Sequence, residues 1–321
     1  TSGQADKRTS GQADKRTSGH GGCMTRLTGY NMIRAFCSGN RATAVLAIWI
    51  GFVTAGNGRV SAERPPNVVV IFIDDMGYAD PSCFGNPMMK TPNIDRLADE
   101  GLRLTNFYVN SPICSASRVA LTTGRYQQRY RIHSYFATRK SNRDRKMPDW
   151  LDPSAPTLAK ALKRLGYRTA HFGKWHMGGG RDVGDAPLPQ EYGFDQSLVS
   201  FEGLGDRILW QKTGNQEQSW EHGRGEILSL PKHKTTETYV DRAIEFVSAN
   251  QDQPFYLRVF PNDVHDGHMP SDEQRAKWEG LSDNPPDQEF FAVLDEMDRQ
   301  IGRLLDTIDQ LKLSEQTLIL F

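Results

Sequence analysis

Asp74 and Asp75 stand side by side after the apolar run Asn67–Ile73. Adjacent carboxylates repel each other unless a cation or base joins them. Hard oxygen ligands of this kind suit calcium or magnesium. The same pair also reads as an ordinary polar turn. A second group is Cys114-Ser115-Ala116-Ser117-Arg118, followed by Leu121-Thr122-Thr123-Gly124-Arg125. If a helix begins here, residue 114 sits at its N-terminus, where backbone N–H groups favour an anion, and Arg118 lies one turn on along the same face. A disulfide to Cys83 and an inert buried thiol are the competing readings. Gly173-Lys174-Trp175-His176 is the third group. Lys174 can neutralise an anion and His176 can act as a base, although a histidine beside a tryptophan is also a common core residue.

These groups need elements that bring them together. The β-branched run Asn67–Ile73 reads as a buried parallel strand. Residues 92–101 have Pro near a helix start and Gly at its end. Leu104–Val109 reads as a short strand. Thr157–Leu165 reads as an amphipathic helix closed by Gly166, with Tyr167–Phe172 the next strand. Thr236–Ser248 is a predicted helix and Pro254–Phe260 a strand, with His265 and His268 just beyond it. Glu289–Leu311 is a long amphipathic helix whose apolar face suits core packing. Thr317–Phe321 starts a further strand. Residues 178–233, rich in Gly, Pro and polar residues, read as long loops over one end of the sheet, and Gly178–Gly180 as a flexible turn. Tyr135, Phe136, Trp210 and Trp220 could stack on a sugar or simply pack locally. Strands alternating with helices indicate an α/β fold with a largely parallel central sheet flanked by helices.

The leader differs from this body. Residues 1–16 repeat the octet TSGQADKR, and residues 1–31 read as a disordered or upstream segment. Residues 32–62 read as a signal peptide: basic residues, the short apolar run Ala42–Ala55, then Val60-Ser61-Ala62 with small residues where cleavage would fall. The apolar run is short for a membrane span. Of the 39 Lys+Arg and 39 Asp+Glu in 321 residues, eight bases and two acids fall in residues 1–62, so residues 63–321 carry a net charge of −6. That balance gives no basis for nucleic-acid binding, and four cysteines are too few for a disulfide scaffold. Twenty-nine Gly and 17 Pro exclude a collagen-like or low-complexity chain. A secreted or periplasmic location follows from the leader.

Cys114–Arg118 with the downstream Thr123-Gly124-Arg125 resembles the signature of type I sulfatases, within the alkaline-phosphatase-like superfamily. Ala116 stands where most members have Pro. The blocks Asn67–Asp75, TPNIDRLADEG, NFYVNSPICSASR, GKWHMGG and PFYLRVFPNDVHDGHMP fall in the family's order. The wording around Cys114 looks most like the arylsulfatase and N-acetylgalactosamine-6-sulfatase branch. The resemblance implies that a maturation enzyme oxidises Cys114 to formylglycine. It also implies catalytic roles for Arg118, Lys174, His176 and His265, sulfate contacts from Lys174 and His265, and one calcium ion held by Asp74, Asp75 and the residue-114 hydrate. The implied substrate is a sulfated carbohydrate or aryl sulfate. His268 is the rival to His265.

The resemblance further implies an Asp-Asn pair beyond the strand at Thr317–Phe321, and a smaller C-terminal region, neither within this sequence. The expectation is therefore an N-terminal part of a catalytic domain, residues 63–321, with weak calcium binding and little activity on its own. A phosphonate or phosphate ester hydrolase of the same superfamily and a non-catalytic sulfated-glycan-binding protein are the alternatives.

Overall fold

The computed structural model of the protein describes residues 64–211 and 217–321. The octet repeat and the expected signal peptide lie outside them. Seven parallel strands make one sheet: β1 (Asn67–Ile71), β2 (Arg168–Lys174), β3 (Gln196–Ser200), β4 (Arg207–Trp210), β5 (Ile227–Leu230), β6 (Phe255–Phe260) and β7 (Thr317–Leu320). Their order is β5-β4-β3-β2-β6-β1-β7. In the register Val69 faces Leu257 across β1 and β6, and Ala170 faces Leu257 across β2 and β6. The chain thus crosses over β6 between β1 and β2, and the ends of these strands meet at one rim. Rims of that kind are where open parallel sheets bind ligands.

Helices α1 (Pro92–Glu100), α2 (Cys114–Thr123), α3 (Arg139–Asp144), α4 (Leu158–Arg164), α5 (Thr235–Ala249) and α6 (Pro285–Gln310) surround the sheet. Their starts follow local chemistry. Pro occupies the first helical position of α1 and α6, where its missing N–H is no loss. Thr157 accepts the Lys160 N–H to cap α4. Strand alternation divides the core. Val69, Ile71 and Val259 pack with Tyr239, Phe246, Met297 and Ile301 from α5 and α6. Val70 and Phe260 pack on the opposite side with Val119 of α2, Phe136 and Ala159 of α4. Each fully buried side chain of this size contributes about 1.5–3 kcal/mol. Among the described residues no helix is long and apolar enough to cross a membrane.

Three local readings are corrected. Leu104–Val109 forms no strand; it is exposed throughout and pairs with no neighbour among the described residues, and apolar content alone makes no strand without a ladder partner. Residues 178–233 are not only loops, because β3, β4 and β5 lie within them and extend the sheet. Strands of four or five residues between glycines leave too short a pattern to read. Gly178–Gly180 is a buried turn rather than a loose one: all three glycines have positive φ, and a Cβ on Gly178 would come within 2.3 Å of the Trp150 side chain. The long helix begins at Pro285, and Val293, Met297, Ile301, Leu304 and Ile308 are buried as its spacing requires.

Candidate active site

Four strands deliver the chemistry to one rim. After β1 the chain turns at Asp75, whose φ is +62°. Asp74 is 4% exposed, and Asp75 is exposed. One Asp74 oxygen accepts from Arg118 Nη2 at 2.8 Å and the other accepts from Lys174 Nζ. Burial alone would raise the pKa of this carboxyl. Arg118 and Lys174 outweigh burial and hold it well below the usual carboxylate range. Arg118 also donates to the Lys174 carbonyl at 2.9 Å, and its guanidinium lies over the rings of Phe72 and Phe260. One buried cation thus fastens α2 to the ends of β1 and β2.

Cys114 is the first residue of α2, with Ile113 extended before it and no side chain capping the start. The helix N-terminus therefore keeps its anion-attracting N–H groups at residue 114. Cys83 and Cys114 are both free thiols, so the disulfide alternative does not hold. Burial pushes the Cys114 thiol pKa up, against the pull of Lys174. At neutral pH the unmodified thiol is protonated and a poor nucleophile.

Lys174 ends β2 with no exposed surface, and its ammonium stands 4.2 Å from the centroid of Phe201. His176, with φ +46°, lies 3.2 Å from the Phe136 carbonyl through Nε2. Burial, with Lys174 adding to it, drives its pKa well below the ordinary value. A neutral imidazole can make that contact only as an Nε2–H donor, which assigns the tautomer. Nδ1 is then an acceptor with no hydrogen-bond partner among the described residues. That nitrogen is the ring position still open to accept a hydrogen bond.

His265, in the loop after β6, places Nε2 3.5 Å from Asp75 and 3.9 Å from Asp74. His268 instead contacts the Val264 carbonyl at 3.1 Å and packs against Phe290. The structure thus brings Asp74, Asp75, Arg118, Lys174, His176 and His265 into one linked cluster, with Cys114 at the head of the helix that carries Arg118. Ligand atoms of Asp74, Asp75 and His265 lie within 4.8 Å of one another. The carboxylates fit a hard cation. The imidazole nitrogen is not a usual calcium ligand, and these groups fall short of the six to eight oxygens calcium takes.

Two participants carried no motif. Phe201, just past β3, has φ +58° and packs on Lys174, on His176 at 4.9 Å and on His265 at 5.6 Å between ring centroids. Non-glycine residues at positive φ are costly and gather at functional sites; Asp75, His176, Phe201 and Glu202 all have it. Lys232 is buried, and its ammonium donates to the carbonyls of His265 at 2.8 Å and Gly267 at 3.2 Å. Of the four candidate sugar-stacking aromatics, Phe136 is buried beneath His176, while Tyr135 and Trp220 are exposed. Trp210 lies under the Lys232 ammonium.

A family model described as Sulfatase matches residues 66–321. The chain is 28% identical to N-acetylgalactosamine-6-sulfatase of Canis lupus familiaris, over 83% of this chain and 51% of that protein. It is 31% identical to arylsulfatase A of Homo sapiens, over 82% of this chain and 52% of that protein. The chain spans about half the length of these relatives. The solved structure of Ps i-CgsB in complex with k-i-k-neocarrahexaose superposes with a TM-score of 0.65 at 26% identity, covering 80% of this chain and 57% of the other.

Proposed function

Because this chain belongs to the sulfatase family, we propose that it carries the nucleophile half of an enzyme that hydrolyses sulfate esters of carbohydrates, with Cys114 converted to formylglycine by a maturation enzyme. The observation that carries the reading is Cys114 at the uncapped head of α2, behind the linked Asp74, Arg118 and Lys174. The carbohydrate assignment draws on the relatives named N-acetylgalactosamine-6-sulfatase and on the k-i-k-neocarrahexaose bound by the structural neighbour. A leader with a signal-peptide pattern supports a secreted or periplasmic location.

A formylglycine hydrate supplies one hydroxyl to attack sulfur and a second whose deprotonation releases sulfate and restores the aldehyde. The chain's own residues do the rest. The α2 N-terminus, Arg118 and Lys174 hold the sulfate charge. His176 Nδ1 accepts a proton from residue 114. His265 donates one to the leaving alcohol. Asp74 and Asp75 would hold a calcium ion, which offsets negative charge on the sulfate oxygens. Phe201 fixes Lys174 and both histidines and excludes water from their inner side.

The test is peptide mass spectrometry after co-expression with a formylglycine-generating enzyme. Formylglycine lowers the mass of the Cys114 peptide by about 18 Da. An unchanged thiol under those conditions removes the proposed mechanism. Turnover of aryl sulfate against aryl phosphate and phosphonate esters then identifies the ester class.

A further inference from the structure

Just after α2, over residues 125–146, the chain is strongly basic. Lys or Arg stands at positions 125, 129, 131, 139, 140, 143, 145 and 146, against the single acid Asp144. Asp144 is engaged by Lys140 at 2.6 Å. Arg139 is held by Asp149 at 2.9 Å and by Asp185. Arg145 lies over the Tyr135 ring at 4.4 Å. That leaves Arg125, Arg129, Arg131, Arg143 and Lys146, all exposed, with no ion pair among the described residues.

Of these, Arg131, Arg143 and Lys146 line one cavity of about 320 Å³, with Arg139, Met147, Pro148 and Asp149. The Asp149 carboxylate on its wall is already satisfied by Arg139 and by Asn142 at 3.0 Å. The backbone holds two of the free cations in place by unusual means. Arg131 and Lys146 both have positive φ, +59° and +58°. Each is fixed by backbone hydrogen bonds, Arg131 N–H to Gln128 at 2.9 Å and Lys146 N–H to Arg143 at 2.9 Å. Unpaired like charges gathered round a hollow repel one another, and an anion in the hollow relieves that repulsion.

The cavity is tied to the active site on two sides. Phe136, between Arg131 and Arg143, donates its N–H to Ser115 of α2 at 3.0 Å and offers its carbonyl to His176. Trp150, next to Asp149, bridges to Gly178, two residues beyond His176.

We propose that the cavity of Arg131, Arg143 and Lys146 binds a second sulfate group on the same glycan, so that the enzyme's natural substrate is polysulfated. This rests on the sulfatase reading for the reaction but not for the binding. The test therefore measures binding, on the full chain with Cys114→Ala so that nothing turns over. The probe is a polysulfated dextran hexasaccharide, compared with its monosulfated form, by titration calorimetry at several salt concentrations.

Expected is roughly tenfold weaker binding of the polysulfated probe, with a flatter salt dependence, in Arg131→Ser/Arg143→Ser/Lys146→Ser. The monosulfated probe loses less than twofold. A control with the same charge change, Lys90→Ser/Arg164→Ser/Lys312→Ser, stays within twofold of the parent. Equal losses in the control overturn the proposal, because the effect is then net charge alone. So does tighter, cavity-dependent binding of an oligonucleotide of equal charge, which assigns the surface to a phosphate chain. If the triple variant unfolds, Arg143→Glu repeats the test with one change. Failure of Cys114 to mature would leave these binding results unaltered.

Discussion

Lys232 donates a 2.8 Å hydrogen bond from its buried ammonium to the backbone carbonyl of His265. It holds the Gly267 carbonyl as well, so the loop carrying His265 is anchored from below by one charge. Burial lowers the lysine pKa, yet a charged donor to two carbonyls is worth about 1.5–3 kcal/mol per bond. Lys232→Met is expected to lower unfolding free energy by about 3 kcal/mol and turnover about tenfold, with KM little changed. Lys232→Arg should recover part of both. Denaturant unfolding and steady-state kinetics on the matured enzyme check this; a stable variant with only KM altered would contradict it.

Arg118 ties Asp74 to the Lys174 carbonyl in a buried setting. Arg118→Met leaves a buried carboxylate with one partner fewer, a change that costs about 3–5 kcal/mol. Turnover of aryl sulfate should fall by at least 100-fold. A variant within 1 kcal/mol of the parent in urea unfolding would show that the pair does not hold α2 to the sheet.

Burial lifts Glu202 to a pKa of about 7, against the opposing pull of Arg181, from an ordinary 4.5. A carboxyl raised in the folded state binds its proton more tightly there than in the unfolded chain. Stability is therefore greatest below the unfolded pKa and is lost as pH rises from about 4.5 through 7. The shift corresponds to about 3 kcal/mol. Parent protein should lose that much between pH 4.5 and 8 beyond Glu202→Gln, as read by unfolding at each pH. Parallel profiles for the two proteins would refute the assignment.

Much of the site was legible because its residues follow apolar runs. Asp74-Asp75 after β1 and Lys174 and His176 after β2 sit where a parallel sheet ends, and Cys114 lies in a motif. Phe201 had no such signal. It follows a five-residue strand hidden among glycines, and its role comes from three contacts made across the fold. Lys232, in Pro231-Lys232-His233-Lys234, falls in the stretch read only as long loops, while in the structure its stem is buried and only its hydrogen bonds reveal its task. Leu104–Val109 erred the other way: it has strand composition without a neighbouring ladder. The separation of His265 from His268 required the turn after β6, which spacing does not specify.

Asp74 and Asp75 give a calcium ion only part of its shell, so affinity in this chain should be weak, in the millimolar range. Calcium at ten times its dissociation constant adds about 1.4 kcal/mol, a rise in melting temperature of about 3–6 °C. Asp75→Asn should abolish that rise. The same shift in both proteins would place the ion elsewhere.

The strand order sets a timetable for synthesis. β1 pairs only with β6 and β7, and Val69 finds Leu257 as its partner. At ribosomal speeds of about 5–20 residues per second, the N-terminal strand waits roughly 10–40 s for that partner to be made. Throughout that interval Asn67–Ile71 is an unpaired apolar segment on a nascent chain. Yield in a heterologous host should therefore depend on chaperone supply and translation rate more than on the melting temperature of the finished protein.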